Sequence, residues 1–307
     1  MVMVLDESQV RAVLRWEDLI PAMETALALF SRGGVLQPVR NMLTIEEQKR
    51  YLGVMPAVSA DAMGIKLVSF YPGNAGTGVP THLAMILLFR PDTGEPLAVM
   101  DGRLITEMRT AAVSAAVVKN LAPRHARVLA LMGSGVQAAA HLEAFAHVRR
   151  FEEVRVWSRT AEHARCFAAA HGARPMDAED AVRGADVIVT ATSALEPIVK
   201  GAWLKAGALV TAVGSPRPTW RELDDEAMAN IIVVDSREAV LKESGDVILS
   251  KASIHAEIGE IFAGSASVPP GKTVVFKSVG IATEDIAAAK LVYDRAIGAP
   301  TGAKAAK

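Results

Sequence analysis

Val128-Leu-Ala-Leu-Met-Gly-Ser-Gly-Val-Gln-Ala138, followed by a helix-like segment and then Val154-Arg-Val-Trp-Ser-Arg-Thr160, decides the fold. Residues 128–132 are uniformly apolar, as a strand buried on both faces must be. They run into Gly133, Ser134, Gly135, Val136, Gln137 and Ala138, a G-x-G-x-x-A turn that opens a helix. Such a turn brings backbone N–H groups and a helix N-terminus up to a pyrophosphate. The next strand ends about 20 residues later, where an NAD site places an acid for the ribose 2′-hydroxyl. This chain has Ser158, Arg159 and Thr160 there. A carboxylate would repel a 2′-phosphate, whereas a guanidinium and two hydroxyls bind one. The segment reads as an NADP(H) site.

Outward from this turn, the chain divides into two patterns. Residues 187–191, 209–213 and 231–234 are further short apolar runs, alternating with helical segments that include 161–170. The alternation predicts a Rossmann-type, doubly wound parallel sheet with right-handed crossovers. Before it, a helix at 19–30 precedes short runs at 39–45, 51–57, 64–71, 83–89 and 97–100, separated by Gly/Pro/Asn turns. These predict a smaller α+β domain with a mostly antiparallel sheet. An alanine-rich helix at 106–121 links the two patterns, and a last helix at 285–297 lies beyond the alternating region. The fold class is α/β. The expected domains are 1–120 with 283–307, for substrate binding and dimerisation, and 121–282, for NADP(H).

Composition narrows the function. Hydrophobic residues make up 51% and charged residues 22%, enough for a large core. The net charge of −1 gives no global basic field for nucleic acid or an anionic membrane. No apolar run reaches 18 residues, and the acidic start MVMVLDESQVR lacks the cationic region of a signal peptide. With a single cysteine, Cys166, read as a packing residue, these features predict a cytoplasmic protein. The small, polar tail at 298–307 is expected to fray. Metal-ligand spacing and a G-x-S-x-G nucleophile turn are both missing, so neither a metal site nor hydrolase chemistry is expected.

Three cations stand out. Arg40 opens a strand and reads equally as a solvated edge residue. Lys66, in Gly64-Ile-Lys-Leu-Val-Ser-Phe70, lies either on the solvent face of its strand or desolvated beside an anion. Desolvation would lower its pKa and suit it to proton transfer. Arg109 reads as the first turn of the alanine-rich helix, where the helix dipole disfavours a cation unless an anion is present. Together the three suit the binding of a carboxylate. His82, after Thr81, reads as a structural histidine or as a site residue.

The same residues extend into longer stretches: Gln37-Pro-Val-Arg40, Tyr51-Leu-Gly-Val-Met-Pro-Ala57, Lys66-Leu-Val68, Leu97-Ala-Val-Met-Asp-Gly102, Arg109-Thr-Ala-Ala-Val-Ser-Ala115 and Gly135-Val-Gln137. Further along come Arg217-Pro218, Trp220-Arg-Glu-Leu-Asp-Asp-Glu226, Leu241-Lys-Glu-Ser-Gly-Asp-Val247 and Val275-Phe-Lys-Ser278. In this order they resemble the ornithine cyclodeaminase/mu-crystallin family over nearly the whole chain. The resemblance implies a homodimer formed through the sheet of the substrate domain. It implies catalytic and carboxylate-binding roles for Lys66, Arg40 and Arg109, and a place near the nicotinamide for Thr81 and His82. Ser134, Val136, Gln137, Ser158, Arg159, Thr160, Thr192, Val213 and Ser278 match dinucleotide contacts, and Trp220 and Glu243 match positions facing the substrate. Cyclodeaminases carry an aspartate after the glycine that ends the strand matching 209–213. Here Gly214 is followed by Ser215, which has no basicity of its own at neutral pH. This departure, with the basic strand end at 158–160, turns the expectation toward NADPH-dependent reduction of a C=N bond next to a carboxylate, as in a cyclic ketimine. The alternatives are an amino-acid dehydrogenase or reductive aminase acting on a 2-oxo acid and an amine, a cyclodeaminase, and an NADPH-dependent binder of a thyroid-hormone-like small molecule.

Overall fold

The computed structural model describes residues 1–298, so the tail expected to fray lies, from residue 299 on, outside the described residues. The chain forms two units, one from residues 1–109 with those from 281 on, the other from residues 110–280.

The first unit contains β1 (Met3–Leu5), α1 (Glu7–Val13), α2 (Trp16–Ser31), β2 (Asn41–Glu46), β3 (Arg50–Val58), β4 (Met63–Phe70), β5 (His82–Phe89) and β6 (Pro96–Asp101). Its six-stranded sheet has the order β1-β6-β5-β4-β3-β2. The pairs are antiparallel apart from β1 with β6, a parallel pair whose edge strand the sequence pattern missed. Along β3, Tyr51, Gly53, Met55 and Ala57 are buried and alternate with residues that are not, so one face of the sheet is the core. The last helix among the described residues, α11 (Ala282–Ala296), covers that face and packs against α2. Ile286, Ala289 and Val292 supply its inward stripe. Gly64 permits the close approach: a Cβ there would lie 2.6 Å from the Leu87 carbonyl oxygen and 2.9 Å from Ile286 Cδ1. On the opposite face, register places Leu43, Leu67, Leu83 and Met85 in one layer. All four are exposed.

The second unit holds β7 (Val128–Met132), α4 (Val136–Ala146), β8 (Glu153–Trp157), α5 (Ala161–His171), β9 (Arg174–Pro175), α6 (Ala178–Val182), β10 (Val187–Thr190) and β11 (Leu209–Ala212). It continues through α7 (Asp225–Met228), β12 (Ile231–Val234), α8 (Arg237–Glu243), α9 (Gly245–Ser250), β13 (Ile254–Glu257), α10 (Ile258–Phe262) and β14 (Val274–Lys277). The eight-stranded sheet runs β13-β12-β14-β11-β10-β7-β8-β9, and its pairs are parallel. Buried runs on β10, β11 and β14 explain why these strands show no alternation of apolar and polar residues. β13 and β14 were not anticipated, and β14 inserts between β11 and β12 near the centre. From β7 the chain proceeds to β8 on one side, then returns to β10 on the other. That reversal opens a crevice beyond the carboxyl ends of β7 and β10, where such sheets take ligands.

The linking helix, α3 (Arg103–Leu121), begins three residues before the position read from sequence. The Asp101 carboxylate accepts the Leu104 N–H at 3.1 Å and caps it. Arg109 therefore stands beyond the first turn, and no helix-terminal anion is needed to explain its charge. Cys166 also departs from expectation, being exposed on α5 rather than packed.

Candidate functional site

In the second unit, Gly133 has φ +130°, and a Cβ there would lie 2.8 Å from the Ala191 carbonyl oxygen. Gly135 caps α4 without a side-chain hydrogen bond, and nothing lies within 4 Å of where its Cβ would be. With Val136 exposed beside it, the first turn of α4 presents its N–H groups outward. Gln137 follows, half-buried, in that turn. At the end of β8, Ser158 is half-buried and Arg159 and Thr160 are exposed. Among the described residues their side chains have no hydrogen-bond or ion-pair partner. Thr192, Val213 and Ser278 follow β10, β11 and β14, neighbours in the sheet. An open backbone cradle at a helix N-terminus, with unpaired hydroxyls and a guanidinium one strand away, fits a phosphorylated dinucleotide. Two of the expected contacts are already engaged within the protein. Thr192 donates to Glu222, and the Ser278 hydroxyl donates to Asp235 at 2.8 Å.

Also in this unit, Ser215 is buried with φ +50°, its hydroxyl donating to the Ala194 carbonyl at 2.7 Å. The hydroxyl is thus held as a donor, consistent with its unsuitability as a base. Trp220 is buried, and Gly245 closes on its backbone so tightly that a Cβ would overlap the Trp220 carbonyl oxygen. The structure therefore brings Trp220 together with the turn that follows Glu243.

The first unit gathers a different set. Lys66 is only 1% exposed and Arg109 4%. Lys66 Nζ lies 2.6 Å from one oxygen of Asp285, and Arg109 Nε donates to the other at 2.9 Å. Arg109 Nη1 makes a short hydrogen bond to Glu284, while its Nη2 makes none among the described residues. Two cations are thus matched by two fully buried carboxylates on the first turn of α11. Burial pulls Lys66 down to about 8, against the opposing charge of Asp285; Arg109 and Arg40 add to the lowering. Arg40 is half-buried just before β2 and lies within electrostatic reach of Lys66. Its segment is anchored to α11, since the Gln37 side chain accepts the Thr283 N–H at 2.6 Å.

Sequence reasoning missed Glu284 and Asp285, because adjacent acids at a helix start read as dipole partners. His82 opens β5, exposed, with its ring stacked 4.3 Å from that of Phe70 and 3.3 Å from the Thr81 hydroxyl. Lys66 pairs with Ile86 and Phe70 with His82. Four residues of strand, about 13 Å, thus separate the histidine from the lysine's position.

Residues 1–299 match the sequence model of the ornithine cyclodeaminase/mu-crystallin family. The chain belongs to this family. It is 53% identical over 285 residues to the ketimine reductase mu-crystallin of Mus musculus, covering 90% of this chain and 91% of the relative. Among solved structures, it is similar to the Thermococcus litoralis Δ1-pyrroline-2-carboxylate reductase in complex with NADH and L-proline. The TM-score there is 0.91 at 35% identity, over 97% of this chain and 98% of the other. An archaeal alanine dehydrogenase dimer with bound NAD gives a TM-score of 0.90 at 32% identity, over 97% and 96% of the two chains. The family fold is the one described above, an α/β dinucleotide-type sheet with a second, mostly antiparallel sheet. Among the described residues no helix is long and apolar enough to cross a membrane.

Proposed function

We infer that the chain reduces a C=N bond next to a carboxylate, with a nicotinamide dinucleotide as reductant. The observation that carries this is the buried Lys66, fixed by Asp285 beside Arg109 and within the field of Arg40. When bound, the dinucleotide supplies the hydride that goes to the imine carbon. Lys66 supplies the proton that ends on the imine nitrogen, since a protonated imine is the better hydride acceptor. A lysine lowered to about 8 is still largely protonated at neutral pH and gives up its proton more readily than an ordinary one. Arg109, through its uncommitted Nη2, and Arg40 hold the substrate carboxylate and orient the imine.

Gly133, Ser134, Gly135, Val136 and Gln137 would hold the phosphates of the dinucleotide, and Thr192, Val213 and Ser278 its nicotinamide half. For Thr81 the same role rests on the family resemblance alone. The exposed Arg159, flanked by Ser158 and Thr160, supports a preference for NADPH; the relative named above was solved with NADH, so the preference rests on these three residues. Roles toward the substrate for His82, Trp220 and Glu243 rest on the family resemblance. The substrate is a small cyclic ketimine of the piperideine- or pyrroline-2-carboxylate type. The exposed apolar face of the six-stranded sheet is the homodimer surface, in keeping with the dimer of the alanine dehydrogenase relative. A reducing, cytoplasmic setting suits the exposed thiol of Cys166.

The test is oxidation of NADPH by a panel of cyclic imino acids, and by 2-oxo acids with and without amines. Ketimine-dependent turnover that disappears in Lys66→Met, with NADPH binding retained, is expected. Normal turnover in that variant overturns the role of Lys66. Turnover only with pyruvate and ammonia replaces the imine reading with an amino-acid dehydrogenase.

A further inference from the structure

The ladder between β10 and β11 ends at Thr190 and Ala212; beyond it the Val213 and Ser215 N–H groups still donate to the Thr190 and Thr192 carbonyls, both at 2.9 Å, and the Thr192 N–H turns to a side chain. That side chain is Glu222, which lies on neither strand. One of its carboxylate oxygens accepts from the Thr192 N–H at 2.7 Å and the Thr192 hydroxyl at 2.7 Å. The other accepts from the Thr190 hydroxyl at 2.6 Å and the Gly214 N–H at 3.0 Å. The approach leaves no room at Gly214, where a Cβ would overlap both Thr192 and the Glu222 carboxylate. Glu222 is itself gripped from behind. Asp246 accepts the Glu222 N–H at 2.8 Å and the Leu223 N–H at 2.9 Å. Lys277 pairs with Asp246 at 2.9 Å and donates to the Gly214 carbonyl at 2.6 Å. All three charged side chains are fully buried.

Burying such a cluster is costly, and the sheet beneath it is already closed by its own ladder. What the cluster fixes is the backbone at 192 and 214, at the carboxyl ends of β10 and β11. In a sheet of this order the pyrophosphate lies over the turn after β7 and the adenosine ribose beyond β8, so the nicotinamide half extends toward β10 and β11. We propose that Glu222 is a positioning residue for the nicotinamide half of the dinucleotide, clamping the 192 and 214 backbones together and tying them to the segment that carries Trp220. The proposal rests on the reading of this unit as a dinucleotide site. Burial holds the Glu222 carboxyl above the usual carboxylate range, with Lys277 opposing, while the two backbone N–H groups it accepts favour the ionised form.

Glu222→Gln tests the clamp with almost no change of shape. Each carboxylate oxygen faces a backbone N–H, from Thr192 or from Gly214. An amide turned either way therefore sets its own N–H against one of them. In the full-length protein, NADPH affinity by fluorescence titration is expected to fall about 10- to 100-fold. Affinity for 2′,5′-ADP, the adenosine half alone, should stay within about 2-fold. Glu222→Asp, which keeps two acceptors and the charge, should recover part of the loss. Thr190→Val removes a single donor and should weaken NADPH about 3- to 10-fold, so it carries the test if Glu222→Gln does not fold. Equal loss for NADPH and 2′,5′-ADP, or no loss for NADPH in folded variants, overturns the proposal. Failure of the unaltered protein to bind NADPH, NADH or 2′,5′-ADP overturns the dinucleotide reading instead.

Discussion

Replacing Asp285 with asparagine should move the alkaline limb of the reductase pH profile to lower pH. Asp285 Oδ2 lies 2.6 Å from Lys66 Nζ and is the nearest group keeping that lysine charged. Burial, Arg109 and Arg40 all push the other way, and the balance leaves Lys66 at about 8. Removing one adjacent opposite charge shifts such a group by about 1–3 units, so Lys66 in the variant should titrate between about pH 5 and 7. The proton on Lys66 is the one delivered, so activity is present below its pKa and lost as pH rises through it. A shift of about 2 units lowers the protonated fraction at pH 8 from about one half to about one hundredth, a loss of roughly 50-fold, while at pH 5.5 the loss is only about 1.3-fold. The assay is kcat/KM for pyrroline-2-carboxylate from pH 5 to 9, with unaltered protein and variant side by side. The ketimine's own titration is common to both and drops out of the ratio. Asparagine keeps the shape and an acceptor for Arg109 Nε, and Glu284 still holds Nη1. Even so, a stability loss of about 3–5 kcal/mol is expected from breaking a buried pair, so the profiles belong well below the variant's Tm. A limb that stays near pH 8 over a uniformly lower rate would refute the argument and leave Asp285 with a scaffolding role alone.

Arg159→Ala should weaken NADPH by about 10- to 100-fold and leave NADH almost unchanged, since a charge-assisted contact to a 2′-phosphate is worth roughly 1.5–3 kcal/mol; equal effects on both dinucleotides would remove Arg159 from the site. His141 is held neutral by burial, its pKa drawn from 6.5 down to about 4. Below pH 6.5 the unfolded chain takes up a proton that the folded chain refuses, so stability falls as pH drops through this window, by about 2 kcal/mol between pH 7 and 5. His141→Gln should lose that component of the slope in urea unfolding at the two pH values, and an unchanged slope would show that His141 is not its source. Met85→Asp, on the exposed sheet face, should yield monomers in sedimentation velocity; an unshifted dimer would place the interface elsewhere.

Apolar parallel strands announce themselves, which is why β7, β10, β11 and β12 were legible from sequence, and β8 nearly so. β1 is three residues long and recognisable only once β6 is beside it, and β13 carries a charged residue at its end. In the site, the glycine turn and the basic end of β8 were legible because both are local. The environment of Lys66 was not, because its counter-charge stands more than two hundred residues away, on a helix whose acids look like ordinary first-turn residues. A clue was nonetheless present in β4, where Gly64, Lys66 and Phe70 share one parity and are all buried. The parity of Phe70 therefore placed the lysine on the inner face. Arg109 was misread because helix starts are set by caps, and Asp101 caps α3 a turn earlier than its alanine-rich centre suggested. Glu222 left no local trace, since its partners come from two strand ends that sequence cannot pair.

The closing of the first unit by α11 sets an order for biosynthesis. Lys66 and the inner face of its sheet emerge early from the ribosome, but their carboxylates and apolar cover arrive only with residues 282–296. The second unit is contiguous, from 110 to 280, and all of it is translated before that helix. Domains fold as their residues become available, so the dinucleotide-type sheet matures first. The nascent first sheet meanwhile waits with an unpaired ammonium and an uncovered apolar surface. A chain stopped before residue 282 therefore loses more than a terminal helix: it is left with one finished domain and one that chaperones must guard.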